Sequence, residues 1–221
     1  SAYKNVNNGE AFQVPYSTST GNSSRYINAA TVENKGIEVQ FNATPIKTKD
    51  FSWEVFVNWS KNQNKVTKLA DGIENLRLNS FQGGVTLNAS VGEPYGVLKG
   101  TDYTYLNGQK IVGANGYYVR NTSANNVIGD VNPDWIGGIR NKFTYKNFSM
   151  GFLIDMKKGG DIFSLDQSYG LATGLYDVTA GNNELGNPIR NSVANGGGVI
   201  LPGVKADGTP NTTRTSSPDY Y

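Results

Sequence analysis

The chain has 221 residues, no cysteine, no histidine and a formal net charge of only +2. The missing residue types exclude disulfide frameworks, thiol nucleophiles, His-based catalytic triads and His-ligated zinc, so we expect no metal and no cofactor. The small and scattered positive charge argues against nucleic acid as a partner. No stretch approaches the ~18 consecutive apolar residues of a membrane helix, so any membrane crossing must use strands.

The first predicted hairpin joins two strands in which apolar and polar side chains alternate. The first strand covers residues 36–44, residues 45–50 supply turn chemistry, and the second strand covers residues 51–60. Alternation with a period of two places one set of side chains on a dry face. The predicted dry face of the second strand, which we expect to contact lipid or its interface, consists of Phe51, Trp53, Val55, Val57 and Trp59.

The middle of the chain is less regular. Residues 61–90 are predicted as a polar loop with short strand-like pieces, and residues 91–105 as a strand. Asn107-Gly108 is a hairpin turn signal. A second hairpin is predicted from residues 138–145 and 148–157 across Lys146-Asn147, and its dry face, expected to be lipid-facing as well, contains Phe148, Met150, Phe152, Ile154 and Met156.

The C-terminal part is rich in Gly, Asn, Thr and Ser from residue 161 onwards. This composition predicts long loop with at most short strands. We therefore divide the chain into a strand-rich part, residues 28–163, and a part that is mainly long loop, residues 164–221.

Strand length favours a membrane barrel over a soluble sandwich, although both show alternation. A strand over residues 51–59 rises about 26 Å at ~3.3 Å per residue, and a tilt of ~40° leaves a height of about 20 Å. This height is close to the ~25 Å apolar band of an outer-membrane barrel. Trp53 and Trp59 lie near the two ends of the dry face, where membrane interfaces favour Trp.

Carboxylates are the remaining route to catalysis or metal binding. Asp155, Asp161 and Asp166 could form a glycosidase pair or calcium ligands, but their spacing fits neither pattern. We favour a strand residue facing the lumen for Asp155 and turn-capping residues for the other two. The chain is accordingly predicted not to be an enzyme.

Aromatic residues in the polar segments are candidates for contact with a substrate or partner. Their rings could stack on sugars or pack against protein, and the alternative is an interfacial girdle or packing within the loops. These candidates are Tyr95, Tyr103, Tyr105, Tyr117, Tyr118 and Trp135.

Short motifs follow one another over about residues 14–163. They read NAATVENKGIEV from residue 28, DFSW from 50, NKVTKL from 64, VGEPYG from 91, IGDVNPDWIGG from 128, YKNFS from 145 and GGD from 159. In this order they resemble the SusC/RagA family of TonB-dependent outer-membrane transporters.

The resemblance implies an all-β fold of antiparallel hairpins that form part of a large transmembrane β-barrel with long extracellular loops. Residues 1–221 would belong to one barrel domain, without the plug domain, and would be a fragment of the C-terminal half of the barrel. The turns at residues 45–50 and 146–147 would be periplasmic, whereas residues 61–90 and those after 159 would lie outside the cell.

The same resemblance implies a function in the outer membrane of a Gram-negative bacterium. The family takes up oligosaccharides or other large nutrients, sometimes peptides, with a SusD-like surface lipoprotein as partner and the TonB complex as driver. Two alternatives stay open: a soluble secreted β-sandwich for glycan binding or adhesion, and a β-rich glycoside hydrolase.

Overall fold

A computed structural model describes residues 1–15 and 24–216 of the chain. The chain divides into two compact units. Unit one consists of Ser1–Ser80, Thr86–Leu98 and Gly129–Ile162, and unit two of Phe81–Val85, Lys99–Ile128 and Phe163–Tyr221. No helix in the described part of the chain is long and apolar enough to cross a membrane. The assignment of residues 1–221 to one barrel domain stays a prediction.

Antiparallel strands dominate the structure, as the predicted all-β class requires. One α-helix, α1 (Leu165–Ala172), occurs among the described residues. The strands in chain order are β1 (Ala2–Pro15), β2 (Ser24–Lys47), β3 (Phe51–Leu69), β4 (Asn75–Ser80), β5 (Thr86–Ser90), β6 (Val97–Tyr103), β7 (Tyr105–Leu106), β8 (Gln109–Lys110), β9 (Arg120–Asp130), β10 (Pro133–Tyr145), β11 (Phe148–Gly159), β12 (Val199–Ile200) and β13 (Arg214–Thr215).

The five long strands of unit one form one antiparallel sheet in the order β1-β2-β3-β10-β11. Both predicted hairpins are confirmed, because β2 pairs with β3 and β10 pairs with β11. The first turn is shorter than predicted, since β2 continues to Lys47 and only residues 48–50 connect the strands. A register shift between Ala43 and Ile46 accommodates Pro45, which has no N–H to give to the ladder.

The prediction of a polar loop with short strand-like pieces over residues 61–90 is wrong for residues 61–69 and confirmed in its short strands. β3 continues to Leu69, and β4 and β5 form a further hairpin. The apolar alternation stops after Trp59 because the side chains that follow are polar on both faces until Val66 and Leu69 become buried. Strand β1 was not predicted either, since its polar sequence pairs with β2 without an apolar stripe.

The strand predicted over residues 91–105 begins only at Val97. Gly96 ends the preceding turn with a φ of 93°, and a Cβ added there would lie 2.9 Å from the Cγ2 atom of Val131. The turn predicted at Asn107-Gly108 is confirmed between β7 and β8, with φ angles of 50° and 79°. Both positive values suit a tight hairpin turn.

A buried apolar cluster lies at the end of β3 that is remote from the short turns. Ala30 and Val32 of β2 contact Val66 and Leu69 of β3 within it, and the hairpin of β4 and β5 contributes the remaining members, Leu76 and Ala89. Tyr95 packs against this cluster together with Ile73 and Leu78. The cluster anchors the hairpin and the Tyr95 turn on one end of the sheet.

Side-chain amides join three distant segments beside this cluster. Asn64 Oδ1 accepts from the backbone N–H of Tyr95 at 2.6 Å, and Asn64 Nδ2 donates to Asn132 Oδ1 at 2.9 Å. Asn132 Nδ2 donates to the Tyr95 carbonyl at 2.8 Å and to Asp130 Oδ1 at 2.6 Å. The backbone N–H of Asp130 donates to Asp161 Oδ2 at 2.8 Å. We call these five residues the polar junction.

The polar junction requires close backbone approach at Gly129. A Cβ added to Gly129 would lie 2.9 Å from the Cβ of Asp161, closer than real Cβ atoms come. The motifs NKVTKL, VGEPYG, IGDVNPDWIGG and GGD therefore meet at one place, although they span residues 64–161.

Unit two contains the segment that was predicted as long loop. Helix α1, which was not predicted, begins after Ser164, whose Oγ accepts from the N–H of Gln167 at 3.1 Å. Beyond it, Arg190 Nε donates to the Thr179 carbonyl at 2.9 Å, and Asn211 Nδ2 donates to the Leu201 carbonyl at 2.9 Å. Long polar side chains thus order a segment that has few regular strands.

Replacement of Asn132 by Ala should destabilise the fold by about 1–3 kcal/mol. The change removes the hydrogen bonds that Asn132 makes with the Asn64 amide and the Tyr95 carbonyl, and lost hydrogen bonds between partly buried polar groups cost about this much. Denaturant titration of the folded protein, followed by tryptophan fluorescence, measures the loss.

Asn42→Ala is the matched control, because Asn42 is an exposed strand residue. We expect the control to change the free energy of unfolding by less than about 0.5 kcal/mol. Equal effects of both substitutions would show that the polar junction does not support the fold.

Candidate functional site

The strand register of unit one places the predicted dry faces on one side of the sheet. Trp53 pairs with Phe143, which in turn pairs with Met150, and residues paired across antiparallel strands point to the same face. We call this side the apolar face. Its members are Ile37, Val39, Phe41 and Ala43 of β2, Phe51, Trp53, Val55, Val57 and Trp59 of β3, Gly137, Ile139, Asn141, Phe143 and Tyr145 of β10, and Phe148, Met150, Phe152, Ile154 and Met156 of β11.

Among the residues of unit one that the structure describes, large side chains of the apolar face are exposed. Phe148 is 80% exposed, Met150 63% and Phe41 56%. Single exposed apolar residues are ordinary, but a continuous apolar face over four strands marks a surface that contacts protein or lipid. Contact with lipid stays a prediction at this point.

Tryptophans lie near both ends of the apolar face. Trp53 lies near the short turns. At the other end, Trp59 and Trp135 both lie beside Gly137, and a Cβ added to Gly137 would be 3.5 Å from the Trp59 ring and 3.6 Å from the Trp135 ring. The predicted end of this strand at residue 60 is wrong, because β3 continues to Leu69. Trp59 instead marks the row after which the same face becomes polar, about 20 Å along the strand from Trp53.

Aromatic rings reinforce the end of the apolar face near the short turns. Phe143 stacks with Phe51, Trp53 and Phe152 at centroid distances of 6.4, 5.8 and 6.2 Å. Trp53 Nε1 donates to Oδ1 of Asn141 at 3.0 Å, and Asn141 is only 9% exposed. This bond satisfies an amide that would otherwise be costly in apolar surroundings.

The opposite face of the same sheet is polar and charged. Lys142 Nζ lies 3.9 Å from Glu54 Oε2 across β10 and β3. Asp155 belongs to this face as well, since it pairs with Gly138, where an added Cβ would lie 3.0 Å from Asp155 Oδ1. The sheet therefore has one apolar surface and one polar, charged surface.

The carboxylates considered for catalysis lie in different settings. Asp155 lies on the polar face of the sheet, Asp161 in the polar junction, and Asp166 in the first turn of α1. Among the residues that the structure describes, no three carboxylates come close enough together to hold a metal ion.

Two of the candidate tyrosines form a cluster in unit two. The rings of Tyr103 and Tyr118 meet edge to face at 5.1 Å, and Lys110 Nζ lies 4.0 and 4.7 Å from their centroids. The Tyr118 hydroxyl donates to the Pro202 carbonyl at 2.9 Å. Sequence reasoning missed Lys110, which the turn at Asn107-Gly108 brings back beside the rings.

The other candidate aromatics have separate roles in the structure. Tyr105 is 48% exposed and its hydroxyl donates to Asp102 Oδ1 at 3.3 Å; partial burial first, then the nearby Asp102 carboxylate, raise the pKa of Tyr105. Tyr117 Oη lies 2.6 Å from Ser216 Oγ. Tyr95 packs on the apolar cluster and Trp135 on the apolar face. Their contact with substrate or partner stays a prediction.

Known proteins similar to this chain are TonB-dependent receptors. TonB-dependent receptor P3 of Formosa agariphila is 30% identical over 193 residues, which covers 76% of this chain and 19% of that protein. TonB-dependent receptor SusC of Bacteroides thetaiotaomicron is 47% identical over 45 residues, which covers 20% of this chain and 4% of SusC. No family model matches the chain.

A solved structure shares the fold. A chain of the RagAB peptide transporter superposes with a TM-score of 0.54 at 23% identity, over 70% of this chain and 18% of that chain. This chain thus spans about a fifth of the length of its longer-matching relatives. The ordered motifs, the antiparallel hairpins and the named relatives agree, and the chain belongs to the SusC/RagA family of TonB-dependent receptors.

Proposed function

We propose that this chain forms a section of barrel wall, with attached extracellular loops, in an outer-membrane TonB-dependent importer of a Gram-negative bacterium. The observation that carries the proposal is the two-faced sheet of unit one, whose exposed apolar face has tryptophans near both ends. An apolar band with aromatic residues at its boundaries is the outward surface expected of an outer-membrane barrel. The polar opposite face would line the lumen.

The sheet needs neighbouring strands to do this in a membrane. Its edge strands are β1 and β11, and unpaired backbone groups cost several kcal/mol each in lipid. We propose that strands from the rest of the receptor pair with both edges. The short turns would then lie on the periplasmic side, because outer-membrane barrels carry short periplasmic turns and long external loops.

Replacement of Phe41 by Arg should destabilise the inserted receptor by about 2–4 kcal/mol. Phe41 lies on the apolar face opposite Val57, near the middle of the band, where a cation facing lipid is expensive. Reversible denaturant titration of the full-length receptor in bilayers measures the difference.

Gln40→Arg is the matched control, because Gln40 is the adjacent residue of the same strand and points to the polar face. We expect it to cost far less than Phe41→Arg. If Gln40→Arg were equally damaging, or Phe41→Arg harmless in a folded receptor, the assignment of the apolar face to lipid would be wrong.

We further propose that unit two contributes to the rim on which a SusD-like surface lipoprotein sits, and that the cargo is an oligosaccharide or a peptide. The segment after residue 163 exposes large apolar side chains in a polar setting: Leu175 is 78% exposed and Leu185 61%. Such residues on ordered loops are typical contact points for a partner. The similar proteins are named receptors or transporters, which agrees with a transport role rather than an enzymatic one.

Leu185→Asp should weaken capture of the lipoprotein by roughly tenfold or more if Leu185 lies in the interface, because the change buries a charge. Co-purification of the lipoprotein with the full-length receptor measures this effect. Thr212→Asp, an exposed polar position of the same unit, is the control and should have little effect. Equal and undiminished capture by both variants would exclude Leu185 from the interface.

A further inference from the structure

Lysines gather on the outer side of the sheet just beyond the apolar face. Lys61 pairs with Ile37 of the apolar face, and Lys158 pairs with Trp135, so both point to the same side as the apolar residues. Further along the strands, away from the short turns, the same side of the sheet carries Lys35 and Lys65. Lys35 pairs with Lys4, and Lys65 pairs with Glu33. We call Lys4, Lys35, Lys61, Lys65 and Lys158 the lysine collar.

The lysine collar is only partly neutralised. Glu33 lies 2.8 Å from the Nζ of Lys4 and 3.9 Å from that of Lys35. Among the residues that the structure describes, no ion pair involves Lys61, Lys65 or Lys158, and all three are exposed. The side of the sheet that carries the apolar face thus has an excess of positive charge just beyond Trp59 and Trp135.

A cavity of about 360 Å³ opens within the collar where β10 separates from β3 beyond the pair Ile136 and Ser60. Three collar lysines, Lys35, Lys61 and Lys65, line it together with Glu33. Asp130 and Asp134 line it as well, and Asp130 Oδ1 accepts hydrogen bonds from the backbone N–H and Nδ2 of Asn132. Because its lysines and carboxylates balance, the excess of positive charge lies with the exposed lysines around the cavity rather than inside it.

We propose that the lysine collar binds the phosphate groups of lipid headgroups in the bilayer leaflet at this end of the apolar face. This inference rests on the proposed function, since it requires the apolar face to lie in the membrane. Along the strands, the apolar residues would then lie beside the acyl chains and the tryptophans at the interface. The lysines, which come next, would lie at the level of the headgroups. Lys is a common ligand for phosphate, and an anionic membrane surface attracts each nearby lysine.

The test compares two double variants of the full-length receptor that remove the same charge. Lys61→Gln/Lys158→Gln neutralises the collar, whereas Lys142→Gln/Lys157→Gln neutralises lysines on the opposite face, where Lys157 pairs with Ile136 and Lys142 pairs with Glu54. The probe is lipid A with both phosphates, titrated into detergent-solubilised receptor and followed by native mass spectrometry. Inorganic phosphate is titrated in parallel.

The collar variant should bind lipid A roughly 25-fold more weakly than the wild type, because each lysine near an anionic surface contributes about a fivefold factor. The control variant should bind within about twofold of the wild type, and the difference should shrink as salt screens the charges. Equal affinity of both variants would overturn the inference. Binding of inorganic phosphate as tight as that of lipid A would also overturn it, in favour of a free-phosphate site.

Membrane insertion is scored separately by fractionation of the outer membrane. A wild-type receptor that does not reach the outer membrane contradicts the proposed function itself. Correctly inserted variants with equal affinity for lipid A contradict only the lysine collar.

Discussion

Cross-strand register is the constraint on which the rest of this structure depends. The pairings of Phe41 with Val57, Val57 with Ile139 and Ile139 with Ile154 align four alternating strands so that their apolar residues share one face. A slip by one residue in any strand would move its apolar set to the polar side. The apolar face, the polar face and the lysine collar all follow from this alignment.

The ends of the sheet hold the register in different ways. At one end, tight turns at residues 48–50 and 146–147 fix which residues pair first. At the other end, the buried cluster around Val66 and the amides of Asn64 and Asn132 attach loops to the strands. The family motifs that are far apart in the sequence meet in this second region, where their residues attach the loops to the strands.

Sequence reasoning succeeded where one face is apolar and failed where both are polar. The hairpins, their faces and the turn at Asn107-Gly108 follow from period-two alternation and turn chemistry, which are local signals. β1 and the second half of β3 gave no such signal, because backbone pairing with β2 holds them without an apolar stripe. The meeting of Lys110 with Tyr103 and Tyr118, the polar junction and the collar all depend on register between strands, which no single segment encodes.

In the proposed receptor, the apolar face of the sheet contacts lipid while the other face contacts water. Nitroxide labels placed one at a time along residues 51–59 of the full-length receptor in bilayers test it most directly, by comparing accessibility to oxygen with accessibility to a water-soluble nickel chelate. This arrangement predicts alternation with a period of two, in which labels at positions 53, 55 and 57 are accessible to oxygen and those at 54, 56 and 58 to the chelate. Chelate accessibility at the odd positions, or the absence of alternation, would contradict it.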